Sequence, residues 1–152
     1  MKRLRARGIE ARGIEIDRPG IRDALEADMR ASILLYDGRL PAPFADRSFA
    51  SVTCVEVLEH CDSPSAIVSE LERLTRDRCV VTVPDMSAIP ICFQHRVVPW
   101  HLLESTHVNF FTQASLEALL RERFREVAMA RIGVDAVNGT RFWTSLAAVC
   151  TP

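Results

Sequence analysis

The chain has 152 residues, a length that fits one domain with a real hydrophobic core. With 48% hydrophobic and 26% charged residues, the composition excludes a disordered chain, a fibre and a disulfide scaffold. A formal net charge of −1 supplies no global attraction to nucleic acid or membrane, and no apolar run approaches the roughly 18 residues that cross a bilayer.

Five cysteines, with no CxxC pair and no secretory leader ahead of them, read as reduced thiols packed as small hydrophobes, which predicts a cytoplasmic protein. Lys2, Arg3, Arg5 and Arg7 form a basic start, read as the solvated side of a helix. The pentapeptide ARGIE occurs at 6–10 and again at 11–15. The first copy ends that helix, with Gly8 as its C-cap, and the second enters a strand, GIEID.

Pro19 then suits the first turn of a helix in which Ile21, Leu25 and Met29 share one face. SILLY at 32–36 reads as a second strand, stopped by Asp37 and Gly38, and 40–48 as a proline-bearing loop. FASVTCV at 49–55 is a third strand running into VLEH. Ser63 and Pro64 open a helix with an apolar stripe at Ile67, Val68, Leu71 and Leu74. CVVTV at 79–83 reads as a strand buried on both faces, ended by Pro84.

The segment 85–111 lacks clear periodicity, carries Phe93, Trp100 and three of the four histidines, and suits a lid or binding loop in which short helices can hide. Thr112 caps the next helix, lined by Leu116, Leu119, Leu120 and Phe124. Runs at 127–134 and 142–150, joined through Asn138 and Gly139, predict a closing antiparallel hairpin. Strands alternating with helices predict βαβ units and a mainly parallel sheet.

In open α/β sheets ligands sit beyond the carboxyl ends of the strands, which here carry Glu15, Asp37, Glu56 and Asp85. A carboxylate offers two acceptor oxygens, enough for both hydroxyls of a ribose at Glu15 or for an exocyclic adenine amine at Asp37. Strand-end acids also cap following helices, so either acid alone leaves both roles open.

In order, GIEIDRPGI, YDGRLPAPFADRSFASVTCVEVLEH, the buried strand ending in VP, and THVNFFTQASLEALL resemble class I S-adenosylmethionine-dependent methyltransferases. The closest branch holds small-molecule O-methyltransferases of quinone biosynthesis. The resemblance implies a Rossmann-like α/β three-layer sandwich, mainly parallel, with a C-terminal antiparallel hairpin. It also implies S-adenosylmethionine as cofactor and methyl transfer to a small molecule, at oxygen rather than nitrogen or carbon, with the acceptor chosen by 86–105. Glu15 then holds the cofactor ribose, Ile16 packs on adenine, and Asp37 reads the adenine amine beside Gly38. Cys54, Val55 and Glu56 line the methionine side. Ala50 replaces an acid that the family often has after Phe49. No GxGxG precedes Glu15, so the resemblance further implies a single domain over 1–152 that is N-terminally incomplete, its first strand and glycine-rich loop lying upstream of Met1, or else a start arranged in a way the family does not predict.

Glu56, Glu59 and His60 stand at i, i+3 and i+4, on one side of a turn if that turn is helical. With His107 they resemble a four-ligand set of small-RNA 3′-terminal 2′-O-methyltransferases and some quinone-pathway enzymes. Two roles stay open: a pocket lining, and a site for magnesium, manganese or zinc that lowers the pKa of a substrate hydroxyl. His60 and His107 are the candidate bases, since imidazoles titrate near neutrality. His95 and His101 read as lid residues. Two further readings remain, a non-catalytic or truncated module and a metal-dependent RNA-end 2′-O-methyltransferase. The lack of a strong basic patch argues against the latter.

Overall fold

A computed structural model describes residues 2–99 and 103–152; Trp100 and His101 lie outside the described residues. The chain forms two compact units, Met1–Pro43 and Phe44–Pro152, taken here in turn.

In the first unit, helix α1 (Lys2–Arg5) is a single turn closed as its sequence predicts. Gly8 adopts φ +74°, a region open to glycine at little cost, and its N–H donates to Arg5 O at 2.9 Å. Strand β1 (Gly13–Ile16) pairs in parallel with β2 (Ile33–Tyr36), setting Glu15 opposite Leu35 and Ile16 opposite Tyr36. Between them the single helix expected over Ile21, Leu25 and Met29 is instead two turns, α2 (Ile21–Ala24) and α3 (Ala27–Arg30). Leu25 is extended, which stops the ladder, and its carbonyl accepts from Arg30 Nε at 3.1 Å.

The second unit is a four-stranded sheet in the order Phe49–Val55, Thr75–Pro84, Thr140–Thr151, Glu126–Val137. Strands β3 (Phe49–Val55) and β4 (Thr75–Pro84) are parallel, joined through a 3₁₀ turn at Leu58–His60 and helix α4 (Pro64–Leu74). After α5 (Ala88–Gln94) and α6 (Gln113–Arg121), β5 (Glu126–Val137) and β6 (Thr140–Thr151) form the closing hairpin, with β6 antiparallel to β4. Its two-residue turn places both Asn138 (φ +47°) and Gly139 (φ +80°) in the left-handed region, the geometry that matches the twist of adjoining strands.

The sequence explains both long helices. Pro64 sits in the first turn of α4, where no N–H is missed, although Ser63 makes no side-chain cap bond. Thr112 caps α6 reciprocally: Ser115 N–H donates to Thr112 Oγ1 and Thr112 N–H to Ser115 Oγ. Val68 and Leu71 from α4 and Leu116 and Leu120 from α6 meet Cys79, Val81, Val83, Leu146, Ala148 and Cys150 in one core. Each fully buried aliphatic side chain contributes about 1.5–3 kcal/mol. Arg73 at the end of α4 donates to Glu70, Asp46 and the Phe44 carbonyl, fastening the approach to β3. All five cysteines are free, and burial pushes the Cys54 and Cys79 thiols up to about 12. Among the described residues no helix is long and apolar enough to cross a membrane.

Candidate active site

At the carboxyl end of the first unit's parallel pair, β1 delivers Glu15 and Ile16 while β2 runs out into Asp37 and Gly38. Glu15 Oε1 accepts from Ile16 N at 2.9 Å, and Asp37 Oδ1 from Arg39 N at 3.0 Å, so local backbone N–H groups orient both carboxylates. Ile16 is 50% exposed, and Ile14, two residues earlier on the same strand, 41%. Gly38 lies against it at φ +80°, and a Cβ there would stand 3.5 Å from Ile16 Cδ1. Two carboxylates and an open apolar side chain at one sheet end have the polarity of a nucleoside's partners.

In the second unit the strand end behaves differently. Cys54 points into the core, whereas Val55 is 56% exposed. Glu56 takes φ +51°, a strained conformation for a side-chain-bearing residue. Its N–H donates to Thr82 O at 3.0 Å, and its Oε1 accepts from Thr82 Oγ1 at 2.8 Å. The 3₁₀ turn begins only at Leu58, so the helical spacing that would carry Glu56 onto one side with Glu59 and His60 does not hold. The structure gathers Glu59, His60 and His107, one ligand atom from each within 4.8 Å of the others. Glu56, the fourth member of the expected set, stands outside this group.

Within the group, Glu59 is 1% exposed and its Oε2 makes no hydrogen bond. Burial pushes its carboxyl above the ordinary glutamate range, reinforced by Glu56 and opposed by the backbone and His60. His60 Nε2 lies 3.8 Å from Glu59 Oε1, and the His60 and His107 rings meet edge to face with centroids 4.7 Å apart. His95 lies elsewhere, at the C-cap of α5.

The sequence pattern does not mark the residues that hold this cluster together. Asn109 Nδ2 donates to Leu58 O at 3.1 Å and Cys61 O at 2.6 Å, while Val108 N and Asn109 N both donate to Glu59 O. The loop bearing His107 is thereby stapled to the turn bearing Glu59 and His60. His60 Nδ1 sits 3.1 Å from Thr106 O and 3.0 Å from Thr106 Oγ1. Thr106 in turn donates from N and Oγ1 to Glu104 Oε1, which holds that carboxyl below its usual range. Asp85, fully buried at the end of β4, accepts from Ser87 N and lies 3.2 Å from Arg131 Nε. That pair ties the end of β4 to the hairpin.

The family described as Methyltransferase domain matches residues 2–123. A comparison with curated proteins finds no match. Among solved structures, a SAM-dependent methyltransferase from Archaeoglobus fulgidus is similar in fold, with a TM-score of 0.70 at 15% identity over 99% of this chain and 80% of its own. The methyltransferase component of the Haloferax volcanii complex with the Trm112 methyltransferase activator gives 0.66 at 19% identity, covering 99% and 76%. The methyltransferase domain of a bacterial Hen1 protein gives 0.60 at 22%, covering 99% and 82%.

Proposed function

We propose that this chain, which belongs to the methyltransferase-domain family and is an S-adenosylmethionine-dependent methyltransferase, methylates an oxygen of a small molecule. The observation that carries the choice of oxygen is the Glu59–His60–His107 cluster. A hydroxyl must lose its proton as its oxygen forms the new bond to carbon, and two adjoining imidazoles are suited to take it.

Bound S-adenosylmethionine supplies a methyl group on a positively charged sulfur, an electrophile that needs an aligned nucleophile more than activation. Glu15 accepts from the ribose hydroxyls and Asp37 from the adenine amine, with Ile16 offering apolar surface to the ring beside Gly38. The open Ile16 side chain against a glycine at positive φ fits such a planar base. Val55 and Glu56 serve the methionine end, and Cys54 contributes there only through its backbone, since its thiol lies in the core. A proton arriving at His60 Nε2 gains the Glu59 carboxylate 3.8 Å away.

Glu59, His60 and His107 also fit a divalent ion. The buried, unbonded Glu59 Oε2 and the close approach of three donor atoms support magnesium, manganese or zinc there. Such an ion would lower the pKa of the acceptor hydroxyl and fix its oxygen. A near-neutral net charge favours a small acceptor over an RNA end.

The test is transfer from methyl-labelled S-adenosylmethionine to a panel of phenolic, alcoholic and amine acceptors, with and without each metal. The expected product is a methyl ether whose formation rate collapses in His60→Ala and His107→Ala. Transfer confined to nitrogen or carbon, or rates unchanged in both variants, would overturn the assignment.

A further inference from the structure

We infer that Thr106 and Glu104 are positioning residues that fix the tautomer of His60, placing the ring proton on Nδ1 and leaving the Nε2 lone pair on the side of Glu59. The inference rests on the reading of His60 as a reacting or ligating imidazole, and it comes from the direction in which each neighbour can donate.

Two oxygens of one residue approach His60 Nδ1: the Thr106 carbonyl at 3.1 Å and Thr106 Oγ1 at 3.0 Å. A carbonyl only accepts. A lone pair on Nδ1 would face the carbonyl's own lone pairs, so a hydrogen there converts a repulsion into a bond. The hydroxyl is ambiguous in principle, because it donates or accepts as its surroundings require. Glu104 removes that freedom. Its Oε1 accepts from Thr106 Oγ1 at 2.9 Å and from Thr106 N at 3.2 Å. Hydrogen bonds to an ionised acceptor are roughly twice as strong as neutral ones, so the hydroxyl proton goes to the carboxylate and Oγ1 turns its lone pairs to the ring. Both Thr106 oxygens then accept from one Nδ1–H.

The result matters at the far side of the ring. Nε2 lies 3.8 Å from the Oε1 of a carboxylate whose other oxygen has no hydrogen-bond partner. A lone pair presented there serves either task proposed for the cluster, taking an acceptor proton or binding a cation, because both need an unprotonated Nε2. Metal-ligating histidines commonly have the other ring nitrogen fixed in this way by a hydrogen bond to a carbonyl or carboxylate. Glu104 and Thr106 are exposed, and their side-chain hydrogen bonds reach the cluster at His60 Nδ1, while the Glu104 carbonyl accepts from His107 N at 3.2 Å.

The test is long-range ¹H–¹⁵N correlation spectroscopy on the full chain with ¹⁵N-labelled histidine, in chelator, without cofactor or acceptor, at a pH where His60 is neutral. The Nδ1–H pattern is expected in the parent and in Thr106→Ser, which keeps the hydroxyl. In Glu104→Ala the released hydroxyl donates to Nδ1 and the Nε2–H population rises; Thr106→Val raises it by removing one acceptor and the link to Glu104. A parent in the Nε2–H form, or a population unmoved in both Glu104→Ala and Thr106→Val, overturns the inference. Because this readout involves no turnover, an Nδ1–H parent whose His60→Ala variant keeps full kcat would leave the tautomer standing and sink only the catalytic reading.

Discussion

The two candidate sites, one in each unit, are built in opposite ways. In the first unit Glu15 and Asp37 sit at an open sheet end, their carboxylates oriented by neighbouring backbone N–H groups and bordered by an exposed isoleucine. In the second, Glu59 is sealed from solvent with an unsatisfied oxygen, and Asn109 staples the loop bearing His107 to the turn bearing Glu59 and His60. An open carboxylate accepts hydrogen bonds at little cost, which suits recognition. A buried carboxylate beside imidazoles is costly to maintain and suits proton or cation chemistry. The difference predicts that affinity and turnover separate by region.

The largest effects should come from the buried cluster. His60→Ala and His107→Ala are each expected to lower kcat by about 10²–10⁴-fold, the usual contribution of a general base, while leaving the affinity for S-adenosylhomocysteine intact. Steady-state kinetics beside calorimetry reads both. The converse holds for the open end: Glu15→Ala and Asp37→Ala each remove a hydrogen bond to a charged acceptor, worth about 1.5–3 kcal/mol, and are expected to weaken cofactor binding roughly tenfold or more. A variant of either kind that shifted affinity and turnover together would break the comparison.

Asn109→Ala tests whether the cluster depends on its staple. It leaves the Leu58 and Cys61 carbonyls without their side-chain donor and is expected to cost about 1–3 kcal/mol, read as a lower urea midpoint. The smallest effect concerns Glu59 and pH. With its folded pKa raised, the folded chain holds a proton that the unfolded chain has released, so stability falls as pH rises from the ordinary glutamate range through the folded value. Glu59→Gln is therefore expected to melt above the parent near neutral pH and to lose that advantage in acid below the glutamate range. A gain independent of pH would remove burial as its cause.

Elements dictated by local pattern were legible from the sequence. FASVTCV at Phe49–Val55, the α4 stripe, the Thr112 cap and the Asn138–Gly139 turn each rest on spacing within a few residues, and each forms as that spacing predicts. The break at Leu25 was not legible, because Ala24, Leu25, Glu26 and Ala27 are all tolerated within a helix and nothing local announces the extended residue. The site was legible in its residue types but not in its geometry. Helical spacing groups Glu56 with Glu59 and His60, yet the left-handed backbone at Glu56 withdraws it from the group. The staple from Asn109 to Leu58 and the contact of Thr106 with His60 join residues 51 and 46 positions apart, beyond the reach of any periodicity.

Isothermal titration with S-adenosylhomocysteine, run on the parent chain, Glu15→Ala and His60→Ala, tests the central division of labour most directly. The account predicts saturable binding by the parent, at least roughly tenfold weaker binding by Glu15→Ala, and parental affinity in His60→Ala. No saturable binding by the parent would favour a non-catalytic module, and equal weakening by both variants would contradict the separation of recognition from chemistry.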